Sequence, residues 1–191
     1  MDSRTPADVI TFWREAGPPR WFAKDEAFDA QFRSRGQDLH LSAARRERDD
    51  WIEAPETALA LLILLDQLPR MIHRDTSRAF EGDRRAQVVA MQGLQKGWDY
   101  QLLPIQRVFV LLVLEHAEVL DWQNLCVERY RMLLDEQPEA NRRLFEGFLD
   151  YAEQHQRVIA RFGRFPHRNL VLERPSTSEE MDFLLEPGSR F

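Results

Sequence analysis

The sequence is poor in cysteine and glycine and has no long apolar run. Cys126 is the one cysteine among 191 residues, which excludes an internal disulfide framework and every zinc pattern built on paired cysteines. The glycines form neither a phosphate-binding loop nor the nucleophile elbow of serine hydrolases. The longest apolar stretch, residues 58–65, is far shorter than the roughly 20 residues that span a bilayer.

Charge and length restrict the partners and the domain organisation. The 26 basic and 32 acidic side chains give a formal net charge of −6, which argues against nucleic acid and anionic membrane surfaces as partners. The first residues lack the basic-then-apolar layout of a signal peptide. We therefore predict a cytoplasmic chain that forms one domain, residues 1–191, and needs no cofactor and no metal. The oligomeric state stays open.

The composition favours helices. Leucine outnumbers valine, isoleucine and threonine combined, and alanine, glutamate, glutamine and arginine are plentiful. No stretch alternates apolar and polar residues for long, so we predict no sheet. Short connections favour antiparallel neighbours. We expect an all-α fold in which helix pairs stack as a short superhelix or close as a bundle, with residues 163–191 packing back on them as a loop and a short helix.

Local signals mark the ends of the helices. Thr5 before Pro6 is typical of a helix start, and Gly163 is typical of a helix end. Pro69 is expected to kink or end a strongly buried helix, and Asp83 is expected to cap the next one. The first predicted helix begins at Pro6, and an amphipathic segment follows Trp21-Phe22. The later predicted helices span about 57–68, 83–96, 104–120, 121–137, 139–162 and 178–185.

The first candidate site lies in the segment Leu64–Arg70. Asp66 follows Leu62 by one turn and is expected to face the core, where a carboxylate is costly unless it is paired. Arg70, four residues further on, is the expected partner. The simpler interpretation is an ion pair that closes a core helix, and the alternative is a polar group of a binding site.

The second candidate is His116. It shares one helical stripe with Phe109 and Leu112, so its ring is expected to point inward. Glu115 and Glu118 flank it, and a histidine beside carboxylates suits general acid–base chemistry. A core histidine with satisfied hydrogen bonds is the simpler alternative.

The third candidate is the strongest. His155 continues an apolar stripe of the last long helix, so its ring is also expected to face inward. Between Arg157 and Arg174, five arginines oppose the single acid Glu173, which makes this segment positive within an acidic protein. Local positive charge favours a bound anion such as a phosphate or a carboxylate. The alternative is an internal arrangement in which the arginines pair with acids elsewhere in the chain and tie off helix ends.

These three segments, together with several aromatic positions, resemble a bacterial family known as domain of unknown function 924. The resemblance covers nearly the whole chain. It is carried by Phe12-Trp13, Trp21-Phe22, Phe28-Asp29, Leu65–Arg70, Ala79-Phe80, Asp83, Glu115–Glu118, Gln123, His155, Arg161–Asn169 and Arg174–Glu180. The chain departs from the family pattern at Met71, Val113, Ala117 and Glu173, so we interpret it as a divergent member. The resemblance implies tetratricopeptide-like packing of helices and brings no known activity.

Three functional hypotheses follow. The leading one is a helical binding module with a polar pocket for a small anion or an acidic peptide. The residues expected to line that pocket are Asp66, Arg70, His116, Glu118, His155, Arg161, Arg164, His167, Arg168, Asn169 and Arg174. The second hypothesis is a structural clamp, in which the same groups hold the C-terminal loop. The third is a hydrolase or transferase with His116 or His167 as the acid–base residue.

Overall fold

The computed structural model describes residues 4–189, and these residues confirm the all-α fold, since they form helices and turns and no strand. They divide into two compact units. The first unit comprises the described residues up to Arg74 together with Arg78–Val113, and the second comprises Asp75–Ser77 and the described chain from Leu114 onward. The single domain and the tetratricopeptide-like packing stay predictions.

The helices follow one another with short connections. Their bounds are α1 Pro6–Ala16, α2 Pro18–Trp21, α3 Glu26–Ala44, α4 Pro55–Leu62, α5 Leu68–Ile72, α6 Asp83–Gln95, α7 Pro104–Glu115, α8 Leu120–Asp135, α9 Glu139–Phe162 and α10 Ser178–Phe183. Single turns of 3-10 helix occur at Asp49–Glu53, Ser77–Phe80, Asp99–Gln101 and Pro166–Arg168. None of the helices within residues 4–189 combines the length and the hydropathy that crossing a membrane requires.

An aromatic cluster around Trp13 fills the core of the first unit. The Trp13 ring lies 5.4 Å from Phe109 in an edge-on arrangement and 5.3 Å from Phe32. The Trp21 ring approaches Phe109 edge-on at 4.8 Å. The Trp21 indole N–H donates to the Trp13 carbonyl at 2.7 Å, so its polar atom is satisfied although the ring is buried. Aromatic packing thus joins α1, α2 and α3 to α7.

The predicted helix start at Thr5-Pro6 and the predicted helix end at Gly163 are confirmed, and three other predicted helix ends are corrected. Thr5 and Asp8 form a capping box at the start of α1, and Gly163 ends α9 in the left-handed conformation with φ 69°. Asp83 does not cap α6, because Gly82 holds the cap position and Asp83 is the first helical residue.

The second correction concerns the predicted helix 104–120, since α7 ends at Glu115. The side-chain amide of Gln123, in the first turn of α8, donates to the carbonyls of Leu114, Glu115 and Ala117 at 3.3, 2.6 and 2.7 Å. Carbonyls in the last turn of a helix lack an intrahelical donor. The Gln123 amide supplies that donor, so the helix can end well before the apolar pattern does.

The buried helix continues through Pro69 instead of ending there. Residues Ile63–Gln67 form a π-turn, in which the Leu68 N–H donates to the carbonyl five residues back. Pro69 has no N–H, and in a regular α-helix its ring would collide with the carbonyl four residues before it. In a regular α-helix the Leu68 N–H would donate to the Leu64 carbonyl, but in the π-turn it donates to the Ile63 carbonyl. The Leu64 carbonyl accepts the Nδ1–H of His40 at 2.9 Å instead.

The next carbonyl of the π-turn, that of Leu65, packs directly on Gly82. A β-carbon added at Gly82 would lie 2.0 Å from the Leu65 carbonyl oxygen. The backbone of Gly82 has φ −89°, which any residue can adopt. Glycine is therefore needed here for space rather than for conformational freedom, and it allows the start of α6 to approach the π-turn.

The second unit is built on the packing of α8 against α9. The ring of Tyr130 stacks on that of Phe148 at 6.5 Å. The chain that follows Gly163 returns to α9, where Phe165 is fully buried beside Val158. This return positions the polar residues of the third candidate segment.

Candidate functional site

The predicted site residues lie in both units. Asp66 and Arg70 belong to the first unit, and the other nine belong to the second. Each group has its own network of ion pairs and hydrogen bonds.

Asp66 lies in the π-turn and is 2% exposed. Its Oδ1 is 2.9 Å from Arg70 Nη1, which confirms the pair expected from their spacing, and its Oδ2 accepts the Gln67 side-chain N–H at 2.6 Å. Arg70 also donates through Nη1 and Nη2 to both carboxylate oxygens of Asp83 at 2.8 and 2.9 Å. Sequence reasoning missed this role of Asp83, because it treated the residue as a helix cap.

Arg70 is held between two carboxylates. Burial works against its charged form, but Asp66 and Asp83 outweigh that effect and raise the pKa of the guanidinium above its ordinary value. Arg70 Nη1 also donates to the Asp66 carbonyl at 2.8 Å, which ties the guanidinium to the backbone of the π-turn. These contacts favour the interpretation of a core ion pair over that of a ligand-binding group.

A surface groove of about 350 Å³ also lies in the first unit. It is lined by the N-terminal parts of α1 and α4 and by one residue of α7, namely Thr5, Pro6, Ala7, Ile10, Thr11, Glu56, Thr57 and Gln106. None of these is a predicted site residue.

The second unit brings together His116, His155, His167 and Arg168 around the ring of Phe165, and we call these five residues the histidine cluster. The ring centres of His116 and His155 are 6.2 Å apart. Phe165 lies 5.4 Å from His155 and 5.6 Å from His167. The Arg168 guanidinium carbon stands 4.4 Å over the Phe165 ring. Sequence reasoning selected all of these residues except Phe165.

His155 lies at the buried end of the histidine cluster, with 4% of its surface exposed. Its Nδ1 is 2.9 Å from the Tyr151 carbonyl and 3.3 Å from Glu115 Oε1. Burial, reinforced by the positive charges of His116 and Arg168, lowers the pKa of His155 to about 3. The ring is therefore neutral at physiological pH, and the carbonyl fixes the Nδ1–H tautomer.

His167 lies at the solvent side of the cluster and is partly exposed, as is His116. Burial and the neighbouring Arg168 lower the pKa of His167 to about 4, although Glu118 acts in the opposite direction. A general base works best when its pKa is near the operating pH. His167, held neutral this strongly, is poorly suited to the acid–base role of the third hypothesis, which stays a hypothesis for His116 and His167 alike.

Arg168 joins the histidine cluster to the end of α7. Its side chain is 6% exposed, and Nη1 donates to the His116 carbonyl at 3.1 Å. A cation at this position complements the negative end of the helix dipole. The guanidinium thus donates a hydrogen bond just beyond the end of α7 and also lies over the Phe165 ring.

Glu118 lies beside the cluster and anchors the C-terminal chain. Its two oxygens accept from Arg174 Nη1 and Nη2 at 2.6 and 2.9 Å, and Oε1 also accepts the Phe165 backbone N–H at 2.8 Å. Burial alone would raise the pKa of the Glu118 carboxyl, but these hydrogen bonds outweigh burial and lower it. Glu118 is therefore ionised and occupied by Arg174.

Glu180 is a second anchor, and it is not among the site residues predicted from the sequence. It forms a capping box with Thr177 at the start of α10. The Glu180 carboxylate also accepts Arg164 Nε and Nη2 at 2.6 and 2.8 Å and the Asn169 side-chain N–H at 3.3 Å. Asn169 in turn accepts Arg174 Nε at 3.1 Å. We call the set Glu118, Arg164, Asn169, Arg174 and Glu180 the glutamate clamp.

Arg161 lies outside both sets. Its side chain is exposed and pairs with Glu179 at 2.9 Å and, more loosely, with Glu186 at 3.9 Å. The positive segment predicted from the sequence is thus largely neutralised, since glutamates partner Arg161, Arg164 and Arg174.

Cys126 is a buried residue of the second unit. Burial, aided by the charge of Glu115, raises the pKa of its thiol well above the ordinary value. We expect the native protein to react with a thiol reagent at pH 8 at least about tenfold more slowly than the urea-unfolded chain, because reaction requires opening of the second unit. The reaction rate is measured from the coloured thiol that the reagent releases. Equal rates for the native protein and the urea-unfolded chain would contradict this prediction.

In the part of the chain that the structure describes, no group of three or more histidine, cysteine or acidic side chains has the arrangement that could hold a metal ion. The fold and the site together define an all-α protein with a histidine–arginine centre in its second unit. The family model described as a bacterial protein of unknown function (DUF924) matches residues 9–188. The chain belongs to this family.

A solved structure supports the same assignment. The chain is similar to a protein of unknown function, ATU0120, from Agrobacterium tumefaciens, with 40% sequence identity and a TM-score of 0.83. The similarity covers 94% of this chain and 96% of that one. No curated protein matches the chain.

Proposed function

We propose that this protein is a cytoplasmic binding module that holds a small oxyanion, a phosphate or a carboxylate such as that of an acidic peptide, at the histidine cluster. The observation that carries the proposal is the position of Arg168. The positive charge of Arg168 helps to lower the pKa values of both His155 and His167. An anion placed there would meet the positive charge of this guanidinium.

The donors at the cluster suit an oxyanion. A neutral imidazole offers one N–H and a guanidinium offers several in a plane, which together match the oxygens of a carboxylate or a phosphate. His116 and His167 are partly exposed, so a ligand can approach them from solvent. Asp66 and Arg70 are not part of the proposal, since Asp66, Arg70 and Asp83 satisfy one another in the first unit.

The test uses four ligands: sulfate, inorganic phosphate, acetate and a peptide with a free C-terminal carboxylate. Thermal shift and calorimetry measure their binding at constant ionic strength. We expect at least one of these anions to stabilise the wild type, because a ligand that binds only the folded state raises its apparent stability. Arg168→Gln should weaken that binding by at least about tenfold, the size of one lost charge-assisted hydrogen bond.

Arg157→Gln is the matched control, because Arg157 is an exposed arginine of α9 and the substitution removes the same charge from the same unit. It should bind the anion within about twofold of wild type. His167→Gln provides a second test if Arg168→Gln proves too unstable, and it too should weaken binding. Equal binding by all four proteins, or no response of the wild type to any anion, would contradict the proposal.

The structural clamp is the second candidate function, and the two are compatible. The observation that favours it is the glutamate clamp, in which Glu118 and Glu180 each accept two hydrogen bonds from one arginine. Through these contacts the C-terminal chain is tied to the end of α7 and to the start of α10. The clamp also holds the loop that carries His167 and Arg168.

A further inference from the structure

We infer that one exposed side of α9 docks against the same side of a second copy of this chain, in an antiparallel helix pair whose two-fold axis passes Gly147. This side consists of Ala140, Leu144, Gly147 and Tyr151, and we call it the α9 stripe. It belongs to the second unit and contains no residue of the histidine cluster. The inference therefore goes beyond the proposed function and does not rest on it.

The α9 stripe is apolar and uncovered. At about 100° per residue, its four residues lie within about 60° of one another around the helix axis. All four are exposed, and the exposed fractions of Leu144 and Tyr151 are 39% and 57%. Large apolar side chains that recur on one side of a helix are typical of a side that packs against another element. This pattern therefore indicates a contact surface.

The same side of α9 is covered further along the helix. Val158, two turns beyond Tyr151, is 6% exposed and lies in one hydrophobic cluster with Phe165 of the returning chain. Phe162, one more turn on, packs against this cluster. The apolar side of α9 thus extends toward the start of the helix, beyond the part that the C-terminal chain covers.

Gly147 lies at the middle of the α9 stripe. A β-carbon built on it would meet nothing within 4 Å, so packing inside the chain does not require glycine here. Glycine in a helix interior is less favourable than alanine, because it loses more conformational freedom on folding. Bare backbone does allow a second helix to come close. We therefore place the closest approach of the two copies at Gly147.

Opposite charges border the α9 stripe on one edge. Arg143 and Asp150 are both exposed and lie about 20° apart around the helix axis. Within residues 4–189, Arg143 has no acidic partner, although Glu139 lies one turn before it. Asp150 accepts the Gln154 side-chain N–H through Oδ2 at 2.8 Å and keeps Oδ1 for a second donor. The edge thus offers one cation and one anion, about two turns apart.

A two-fold axis at Gly147 brings unlike charges together. Residues at equal distances on either side of Gly147 lie level with each other in an antiparallel pair. Leu144 then comes within one residue, or about 1.5 Å along the axis, of Tyr151 in the second copy. Arg143 comes equally close to the level of Asp150 in the second copy. Symmetry repeats both contacts, so the pair gains two apolar contacts and two ion pairs.

This charge pattern selects a second copy as the occupant. In a parallel pair about the same stripe, Arg143 would lie beside Arg143 and Asp150 beside Asp150, and like charges disfavour that arrangement. In the antiparallel pair, each copy supplies the charge that the other lacks at that level. Self-complementarity of this kind is what a two-fold interface between identical chains requires.

Sedimentation equilibrium between about 1 and about 500 µM tests the pairing, because one helix side is at the small end of protein interfaces. We expect a reversible monomer–dimer equilibrium for the wild type. Arg143→Glu should raise the dissociation constant at least about tenfold, since two acids then lie together at both ends of the interface. Asp150→Arg should weaken the dimer similarly. The double variant Arg143→Glu/Asp150→Arg should return the dissociation constant to within about threefold of the wild-type value.

Cross-linking gives a second measurement that needs no charged variant. Gly147→Cys places two thiols at the two-fold axis, where oxidised glutathione should join them in a disulfide between copies. Ala160→Cys is the matched control, since Ala160 is exposed on α9 but lies about 140° from Gly147 around the axis. It should give little cross-linked dimer. The native Cys126 is buried and does not compete.

Arg142→Glu controls for the same change of charge one residue away. Arg142 lies about 140° from Gly147 around the axis and pairs with Glu146 of its own helix at 3.7 Å, so the variant should dimerise within about twofold of wild type. A wild type that stays monomeric throughout the concentration range overturns the inference. A dimer that neither single reversal weakens, or that the double reversal fails to restore, also overturns it. Equal cross-linking of Gly147→Cys and Ala160→Cys does the same.

Discussion

Gly82→Ala is expected to lower the free energy of unfolding by about 3 kcal/mol or more, the upper part of the range for overpacking in a buried site. The new methyl carbon would lie 2.0 Å from the Leu65 carbonyl oxygen, and the contact is with backbone, which cannot rotate away. Either α6 or the π-turn must therefore shift. Urea denaturation followed by circular dichroism measures the loss.

Gly147→Ala is the matched control. Gly147 lies inside α9, and a β-carbon there would meet nothing within 4 Å. The substitution should leave stability unchanged or increase it by up to about 1 kcal/mol, because alanine is the better helix former. If Gly82→Ala were as harmless as Gly147→Ala, the close packing of Gly82 on the π-turn would be wrong.

Glu180→Gln should lower the free energy of unfolding by about 2 kcal/mol at pH 7. That value lies between those of exposed and fully buried ion pairs, because the Glu180 side chain is 3% exposed and that of Arg164 is 28% exposed. Glutamine keeps the shape of the side chain but removes the charge that Arg164 and the Thr177 N–H share. The adjacent Glu179→Gln is the control, and it should cost no more than about 0.5 kcal/mol, since Glu179 is exposed.

The pH dependence adds a second readout to this comparison. The hydrogen bonds from Arg164, together with those from Thr177 and Asn169, lower the pKa of Glu180 from 4.5 to about 2. A carboxylate with a lowered pKa stabilises the fold fully above its ordinary value and loses that contribution as the pH falls toward the folded-state value. The difference between wild type and Glu180→Gln should therefore narrow between pH 5 and pH 2. A constant difference across this range would count against an ionic role for Glu180.

Helix starts and stops with local signals could be predicted from the sequence. Thr5 and Gly163 act on the backbone within a few residues of themselves, so their effect depends on nearby sequence alone. The end of α7 could not be predicted in this way. It depends on the Gln123 side chain, eight residues beyond Glu115, whose capping role follows from how the chain folds back. The π-turn at Pro69 is an intermediate case, because proline predicts a disturbance of the helix but not which carbonyls will find new donors.

The sequence predicted which residue types come together in the second unit better than it predicted which of them pair. The unusual residue types around His155 and Arg168 marked the segment, and the structure gathers them around Phe165. The ion-pair partners in this segment could not be predicted, because Arg174 is 56 positions from Glu118 and Arg164 is 16 positions from Glu180. Helical spacing relates residues three or four apart and gives no information at such separations.

The π-turn makes the number of residues in the buried helix as important as their identity. In an α-helix each residue turns the following ones by about 100° around the axis, and a π-turn accommodates one residue more than a regular turn does. Deleting one residue from Ile63–Leu65 would rotate Asp66 and Arg70 together by about that angle relative to α4, and so would move Arg70 away from Asp83. Chain length in this stretch, and not only sequence, therefore decides which side of the helix carries the guanidinium.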